Sequence, residues 1–455
     1  MSWIATHFEI VVIVLLALGT AIVVLQQRRT PQSAAAWLLG VIVLPWLTVP
    51  LFMALGFRKR GREFHPIAFS KLEPAHETPD PHGPDRLLRN LGLPPATDGN
   101  RFDLLRTPED AFEGLMDLVA GATESLDVLF YIVADDPIGE AFVEALEAKA
   151  KSGVRVRVLL DRLGTFGRSG HSLKRLTNAG GKVRYFSPFL QPRSAGHLNL
   201  RNHRKMVIAD GDRVFAGGMN VGAEYMGPKA EANHWCDLAF LLAGPAVLTF
   251  RDVFRSDWAV TGGDNAVKRS LHMPEIRGTA KVQVVATGPD LPTDPLHDAL
   301  VHAIHVATDR IWIVTPYFLP TEILSHALTC AARRGIDVRI MLPEKSNQRL
   351  ADFARGAYLW EMQQAGCKVL FFQDGMIHAK AGILDDDAFV GSANFDVRSM
   401  LLNFEIALFV YDAVSVNELV AWYGRREENC VAGVARAGVG RRVLEGVFRL
   451  GAPML

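Results

Sequence analysis

The chain has 455 residues, beyond the usual range of one domain, with 49 Lys plus Arg against 49 Asp plus Glu and a formal net charge of zero. That balance argues against a chain-wide electrostatic grip on nucleic acid. Hydrophobic residues reach 49% and mean hydropathy is +0.13, an excess concentrated at the N-terminus. Cys236, Cys330, Cys367 and Cys430 are scattered without a CxxC pair or metal-ligand spacing, so they read as reduced core thiols of a cytosol-facing protein.

Taken from the N-terminus, the uncharged run from Ile10 to Leu25 is followed, after QQRRTPQS, by a second from Ala34 to Phe57. Each approaches or covers the ~20 residues that a bilayer core requires. The pattern predicts a transmembrane helical hairpin in residues 1–60, with spans at about 8–27 and 34–57. Pro45 and Pro50 leave a kinked or re-entrant second segment open. A cleaved signal peptide fits less well, because no basic residue precedes the first run and a second apolar run follows it. Arg28 and Arg29 lie in the connecting turn, whereas Arg58, Lys59, Arg60 and Arg62 follow the second segment. With two spans, the larger cluster places the rest of the chain in the cytoplasm.

Pro74, Pro79, Pro81 and Pro84 mark residues 61–100 as an extended linker. Beyond it the chain reads as a duplication, 101–265 and 266–455. In the first copy a helical pattern (Ala111 to Ala122), a strand (LDVLFYIV), a helix (Gly139 to Lys151) and a strand (GVRVRVLLD) follow in order. The second copy repeats them as HDALVHAIHVAT, RIWIVTPYF, a helix near Ile323 to Arg334, and GIDVRIMLP. Alternating strands and helices predict two tandem α/β domains related by pseudo-two-fold symmetry, each a sheet covered on both faces. The C-terminal RRVLEGVFRLGAPML mixes Arg with apolar residues at helical spacing, which suits packing on the domain or lying on lipid, with packing favoured.

Each copy carries His-x-Lys-x-x-x-x-Asp: His203, Lys205 and Asp210, then His378, Lys380 and Asp385. Histidine is scarce, 14 in 455, and both strings run on into matching sequels, GGMN and GSAN, so coincidence is a poor explanation. A spacing of two puts His and Lys on one face of a strand. Asp210 opens an Asp-Gly hairpin turn and Asp385 a similar one, so by geometry both aspartates are structural. The hairpins return to Asn220 and Asn394, whose amides can donate to phosphoryl oxygens. Asp237 and Glu405 occupy equivalent places on the following strands, where each could hold the Nδ1 proton of its own copy's histidine. Trp235, His197, Tyr131 and Tyr317 are candidates for plain packing or loop roles.

These parts suit phosphodiester chemistry. One imidazole attacks phosphorus to give a phosphohistidine, the other protonates the leaving alkoxide and then deprotonates the incoming hydroxyl. Lys205, Lys380, Asn220 and Asn394 supply positive field, so neither metal nor cofactor is called for.

The doubled motif with its G-(G/S)-x-N sequel resembles the phospholipase D superfamily. Over nearly the whole length, through LRNHRKMVIADG, GGMNVGAEYMG, TPYFLP and VGSANFDVRSMLLNFE, the chain is similar to the bacterial cardiolipin synthase family. The resemblance implies an enzyme of the bacterial inner membrane that joins two phosphatidylglycerol molecules into cardiolipin and releases glycerol. It implies membrane-lipid substrates rather than nucleic acid, and counts Asp210 and Asp385 among the active-site residues. It makes His203 the nucleophile and His378 the general acid, and allows Gly218 in one copy where the other has Ser392. A hydrolytic phospholipase D, or a transferase using another alcohol, is the alternative.

Overall fold

A computed structural model describes residues 3–27, 31–56, 66–75, 83–165, 170–186, 200–263 and 274–450. Within these, one mixed sheet of 15 strands runs through both copies. The first copy contributes, from its outer edge inward, Lys182–Phe186, Arg155–Asp161, Ser125–Phe130, Met206–Ala209, Arg213–Gly217, Ala239–Ala243 and Thr97–Leu105. The second copy repeats that order as Lys368–Phe372, Asp337–Pro343, Arg310–Val314, Ala381–Leu384, Asp387–Gly391, Glu405–Val410 and Ala280–Thr287, with Cys430–Ala432 added at its edge. The copies join where Thr97–Leu105 pairs antiparallel with Ala280–Thr287, at Thr97 with Val282 and Asn100 with Ala280. The expected duplication is therefore literal, strand for strand.

Within each copy the outer three strands are parallel and need crossovers, which helices such as Pro137–Lys151 and Glu322–Arg333 supply. Both helices start on a capping side chain. Asp136 accepts from the backbone N–H of Ile138 and Gly139, and Thr321 accepts from that of Leu324. Apolar residues of both helices pack on the sheet. One hydrophobic cluster spans the junction, uniting Met206, Ile208 and Phe250 with Val282, Ile406 and Trp422. The two copies thus share a core, and their relative placement is fixed by burial.

The segment read as a linker is partly built into this body. Ser70 donates its backbone N–H to Asp252 Oδ2 at 2.6 Å, and the short helix Pro84–Asn90 inserts a fully buried Leu88 into the second copy's core. The basic cluster at Arg58, Lys59, Arg60 and Arg62, and Pro79 and Pro81, lie outside the described residues.

At the N-terminus, Trp3–Gln26 is one continuous helix, and His7–Gln26 is the one stretch among the described residues long and apolar enough to cross a bilayer. The second apolar run, in which Pro45 and Pro50 left a kink open, is not one continuous helix. It breaks at Leu44 (φ −137°, ψ 61°) into Pro31–Val43 and Pro45–Leu55. Pro45 cannot donate a backbone hydrogen bond into the preceding turn, which stops the helix there. The rings of Trp37 and Phe52 meet edge to face at 5.1 Å. Residues 15 apart on a straight helix would sit ~22 Å apart, so the two pieces fold back on each other.

Candidate active site

The histidines do not sit on the strands that follow them. Strand Met206–Ala209 begins after Lys205, and Ala381–Leu384 begins after Lys380. The residues carrying His and Lys are instead drawn out of their own copy's ladder and pair with the other copy. His203 donates its backbone N–H to Phe404 O at 2.9 Å, and Phe404 donates back to Arg201 O at 2.9 Å. In the same way His378 donates to Cys236 O at 2.7 Å, and Cys236 to Met376 O at 2.8 Å.

Phe404 and Cys236 immediately precede the two carboxylates, and this exchange decides which acid meets which histidine. His203 Nδ1 lies 3.1 Å from both carboxylate oxygens of Glu405, and His378 Nδ1 lies 2.6 Å from Asp237 Oδ2. Each histidine is thus held by the other copy's acid, not by its own as the strand positions suggested. Periodicity along one copy carries no information about a bridge between copies, so the sequence could not show this.

Both acids are fully buried and their supports differ. Ser392 donates its hydroxyl to Glu405 Oε2 at 2.6 Å, and its carbonyl faces His203 Nδ1 at 3.1 Å. Gly218, its counterpart, has no side chain to offer and no room for one, since a Cβ there would lie 2.4 Å from Asp237 Oδ1. Burial pushes the Glu405 carboxyl up, but His203, Lys205 and the Ser392 hydroxyl hold it below its ordinary value.

Both lysines are fully enclosed. Lys205 donates to His203 O at 2.7 Å, while Lys380 crowds His378, reaching its carbonyl and lying 2.6 Å from Nδ1. Burial brings Lys205 down to about 7 and Lys380 to about 8, with the acids Glu405 and Asp237 opposing it. Burial likewise lowers His203, and burial with Lys380 takes His378 to about 3. Positive groups crowd a dry cleft, and an arriving phosphate anion would relieve that by favouring every protonated form. The residues around the two histidines are continuous: Tyr131 packs on His203, the next residue Ile132 donates to Asn220, and Asn220 donates to Tyr225, whose ring packs on His378, which puts both motifs around one cleft.

Asp210 and Asp385 stand at the far ends of their strands from the histidines. Asp210 accepts the backbone N–H groups of Thr123, Glu124 and Ser125 at 2.7–3.1 Å, and Asp385 those of Thr308, Asp309 and Arg310 at 2.7–2.9 Å. Both take φ 53°, a left-handed conformation that Asp tolerates better than most residues. Burial raises both carboxyls, but the backbone N–H groups bring them below their ordinary value. Each therefore ties a hairpin to the start of the neighbouring strand, as the turn signal indicated.

Asn220 turns away from the role expected of its amide, accepting from Ile132 N at 3.1 Å and donating to Tyr225 Oη at 3.0 Å. It braces Tyr225, whose ring packs against His378 at 5.4 Å. Asn394 is buried with Oδ1 lacking a protein partner among the described residues. Trp235 and Tyr317 also flank His378, at 5.1 and 6.5 Å, and Tyr131 flanks His203 at 5.2 Å, so these aromatics line the site. His197 lies outside the described residues.

Sequence reasoning missed Arg204, between the first His and Lys. It is fully buried, pairs with Asp257 at 2.7 Å and Asp290 at 3.2 Å, and donates to Glu405 O at 3.2 Å. Ala379 holds that position in the second copy. The one available signal was this Arg/Ala difference inside otherwise matching strings.

A doubled α/β repeat whose two His-Lys motifs meet in one cleft defines a phospholipase D-like protein. A crystal structure of phosphatidylserine synthase from Haemophilus influenzae Rd KW20 shares the fold, with a TM-score of 0.62 over 82% of this chain and all of that one at 13% identity. The family description "Cardiolipin synthase, PLD-like domain" matches residues 115–258 and 300–426. The chain is 32% identical to cardiolipin synthase of Geobacillus thermodenitrificans over 88% of its length and 84% of the relative's. It is 33% identical to the major cardiolipin synthase ClsA of Bacillus subtilis over 88% of each. The chain belongs to the cardiolipin synthase family.

Proposed function

We propose that this chain is a membrane-bound phosphatidyltransferase that condenses two phosphatidylglycerol molecules into cardiolipin and glycerol. The observation that carries the mechanism is the pair of histidines, each with Nδ1 on a buried carboxylate, which favours the tautomer that leaves His203 Nε2 for attack, while His378 Nε2 lies 3.1 Å from the Lys380 ammonium. His203 Nε2 attacks the phosphorus of the first lipid, forming a phosphatidyl-histidine as the P–O bond to glycerol breaks. His378 donates its proton to the departing glycerol oxygen. Its protonated form is favoured once an anion has entered, because the phosphate charge offsets the burial and the Lys380 cation that otherwise lower it. His378 then takes the proton from a hydroxyl of the second phosphatidylglycerol, which attacks phosphorus and releases His203. Lys205 and Lys380 balance the extra negative charge of the transition state. Asn394 offers a further amide to the phosphoryl oxygens, while Asp210, Asp385, Asn220 and Ser392 hold the frame.

A lipid-bound substrate agrees with the apolar N-terminal helix. A single span followed by a folded-back second segment would put both basic clusters on one face of the membrane, and the positive-inside rule then assigns the catalytic body to the cytoplasmic face.

Purified protein supplied with phosphatidylglycerol as sole lipid should yield cardiolipin and glycerol in equal amounts by thin-layer and mass analysis. Phosphatidic acid without cardiolipin would sink the transferase reading in favour of hydrolysis.

A further inference from the structure

A cavity of about 640 Å³ opens at the carboxyl ends of strands Asp337–Pro343 and Lys368–Phe372, roofed by helix Arg349–Ala365 and by helix Val439–Leu450. Its size falls in the ~300–1,000 Å³ range of small-ligand sites. The cavity is two-natured. Leu359, Phe371 and Val434 give an apolar floor, while Lys345, Arg349, Arg355 and Arg441 bring four cations to the lining against the carboxylates of Glu344 and Asp352.

Two of those cations are already engaged. Arg441 pairs with Glu445 at 3.0 Å, and Arg355 pairs with Asp352 at 3.1 Å. The Arg355 side chain is 6% exposed: Nη1 forms that ion pair off hydrogen-bond geometry, and Nη2 donates to Glu344 O at 2.7 Å. Its guanidinium therefore lines the cavity as a fixed, buried cation that an entering anion can share with Asp352. Lys345 and Arg349 are exposed at the mouth and form no ion pair among the described residues.

The rim adds a second indication. Leu350, Val431, Val439 and Val443 are 50–69% exposed around it. Helix Val439–Leu450 docks through Glu445, which is 4% exposed and packs on Gly356, and it turns Val439 and Val443 outward beside Arg442. Apolar side chains flanked by arginines are the composition of a surface that lies at a lipid headgroup layer.

We propose that this cavity binds an anionic phospholipid, its phosphate held by Lys345, Arg349 and Arg355 and the start of an acyl chain on Leu359 and Phe371, at a site separate from the two histidines. The assignment rests on the lipid-transferase reading above. It also gives the catalytic cleft a route to sense occupancy, because Asn347, between Lys345 and Arg349, accepts from Tyr317 Oη at 2.5 Å, and the Tyr317 ring faces His378.

The test uses full-length protein in zwitterionic detergent, in a His378→Ala background that stops turnover, with a phosphatidylglycerol bearing a diazirine on its acyl chain. Cross-links mapped to 344–359 and 431–441 are expected, and the pair Lys345→Glu and Arg349→Glu should weaken binding at least tenfold. In the active background that pair should raise the apparent KM for phosphatidylglycerol while turnover of bis(p-nitrophenyl) phosphate stays unchanged, which also shows the variant is folded. Leu359→Trp, which fills the floor without touching charge, should do the same. Cross-links confined to peptides around His203 and His378 would overturn the proposal, as would full competition by inorganic phosphate, which would mark a free-anion site. If wild type made no cardiolipin, the transferase reading would fail while the cross-linking result stood by itself.

Discussion

The two copies share a strand order, a motif and a hairpin, yet they surround their histidines differently. His203 meets the ring of Tyr131 and a carboxylate, Glu405, that is braced by the Ser392 hydroxyl and by Arg204 on its carbonyl. His378 is ringed by Tyr225, Trp235 and Tyr317, is crowded by Lys380, and meets an acid that is accommodated by a missing side chain at Gly218. Two chemically equal starting points have become a braced site and an enclosed one. A braced neutral imidazole suits attack on phosphorus, and a ring enclosed by aromatic side chains suits taking up a proton when a phosphate anion enters.

The comparison breaks most directly at the histidines. His203→Ala and His378→Ala should each lower activity by roughly 10³-fold or more, and only the second should leave a phosphoenzyme that can be trapped after mixing with lipid. A trapped peptide containing residue 378 in His203→Ala would reverse the assignment. Next come the exchanged acids. Glu405→Gln and Asp237→Asn should cost on the order of 10²–10⁴-fold in kcat with little change in lipid binding, since an amide can hold the wrong tautomer. Loss confined to KM would show that the acids serve only to shape the cleft.

The Gly218 and Ser392 pair sharpens the asymmetry at smaller scale. Gly218→Ser should displace Asp237 and behave like a weakened acid variant, whereas Ser392→Gly removes one hydrogen bond to Glu405, ~1–2 kcal/mol or about tenfold in rate. Equal effects would mean that the two supports are interchangeable. The smallest catalytic effect is expected at the hairpin aspartates. Asp210→Ala and Asp385→Ala each strand backbone N–H groups and should lower stability by ~1–3 kcal/mol while leaving kcat of the folded fraction near wild type. Their carboxyls lie below the ordinary value when folded, so this stabilisation is complete above the usual carboxylate range and fades as pH falls through the folded value. Thermal melts across that acid range should show the difference between wild type and each alanine variant shrinking.

Much of this was legible from the chain. Repeated motifs, repeated strand–helix order and the Asp-Gly turn pointed to the duplication, to a site shared by the two histidines and to the structural role of Asp210 in its turn. What escaped were properties of contacts between copies. The exchange of Asp237 and Glu405 follows from bridges at Phe404 and Cys236, and no pattern within one copy encodes those bridges. Arg204 reads as one more basic residue until its partners Asp257 and Asp290 are seen, and Asn220 reads as a free donor until Tyr225 takes its amide. Pro45 and Pro50 left a kink open in the second apolar run, and its place at Leu44 and Pro45 is set by the backbone, which composition alone does not fix.

The exchange of acids between copies also has a consequence for how the protein is made. His203 precedes its carboxylate by 202 residues. At ~5–20 residues per second of synthesis, the first histidine emerges from the ribosome roughly 10–40 s before Glu405 does. Throughout that interval the chain has already delivered its apolar helix, yet His203 has no carboxylate, whereas His378 emerges 141 residues after Asp237 and meets an acid already made. The proposed chemistry beside the membrane thus stays silent until strand Glu405–Val410 of the second copy is made and its carboxylate reaches His203.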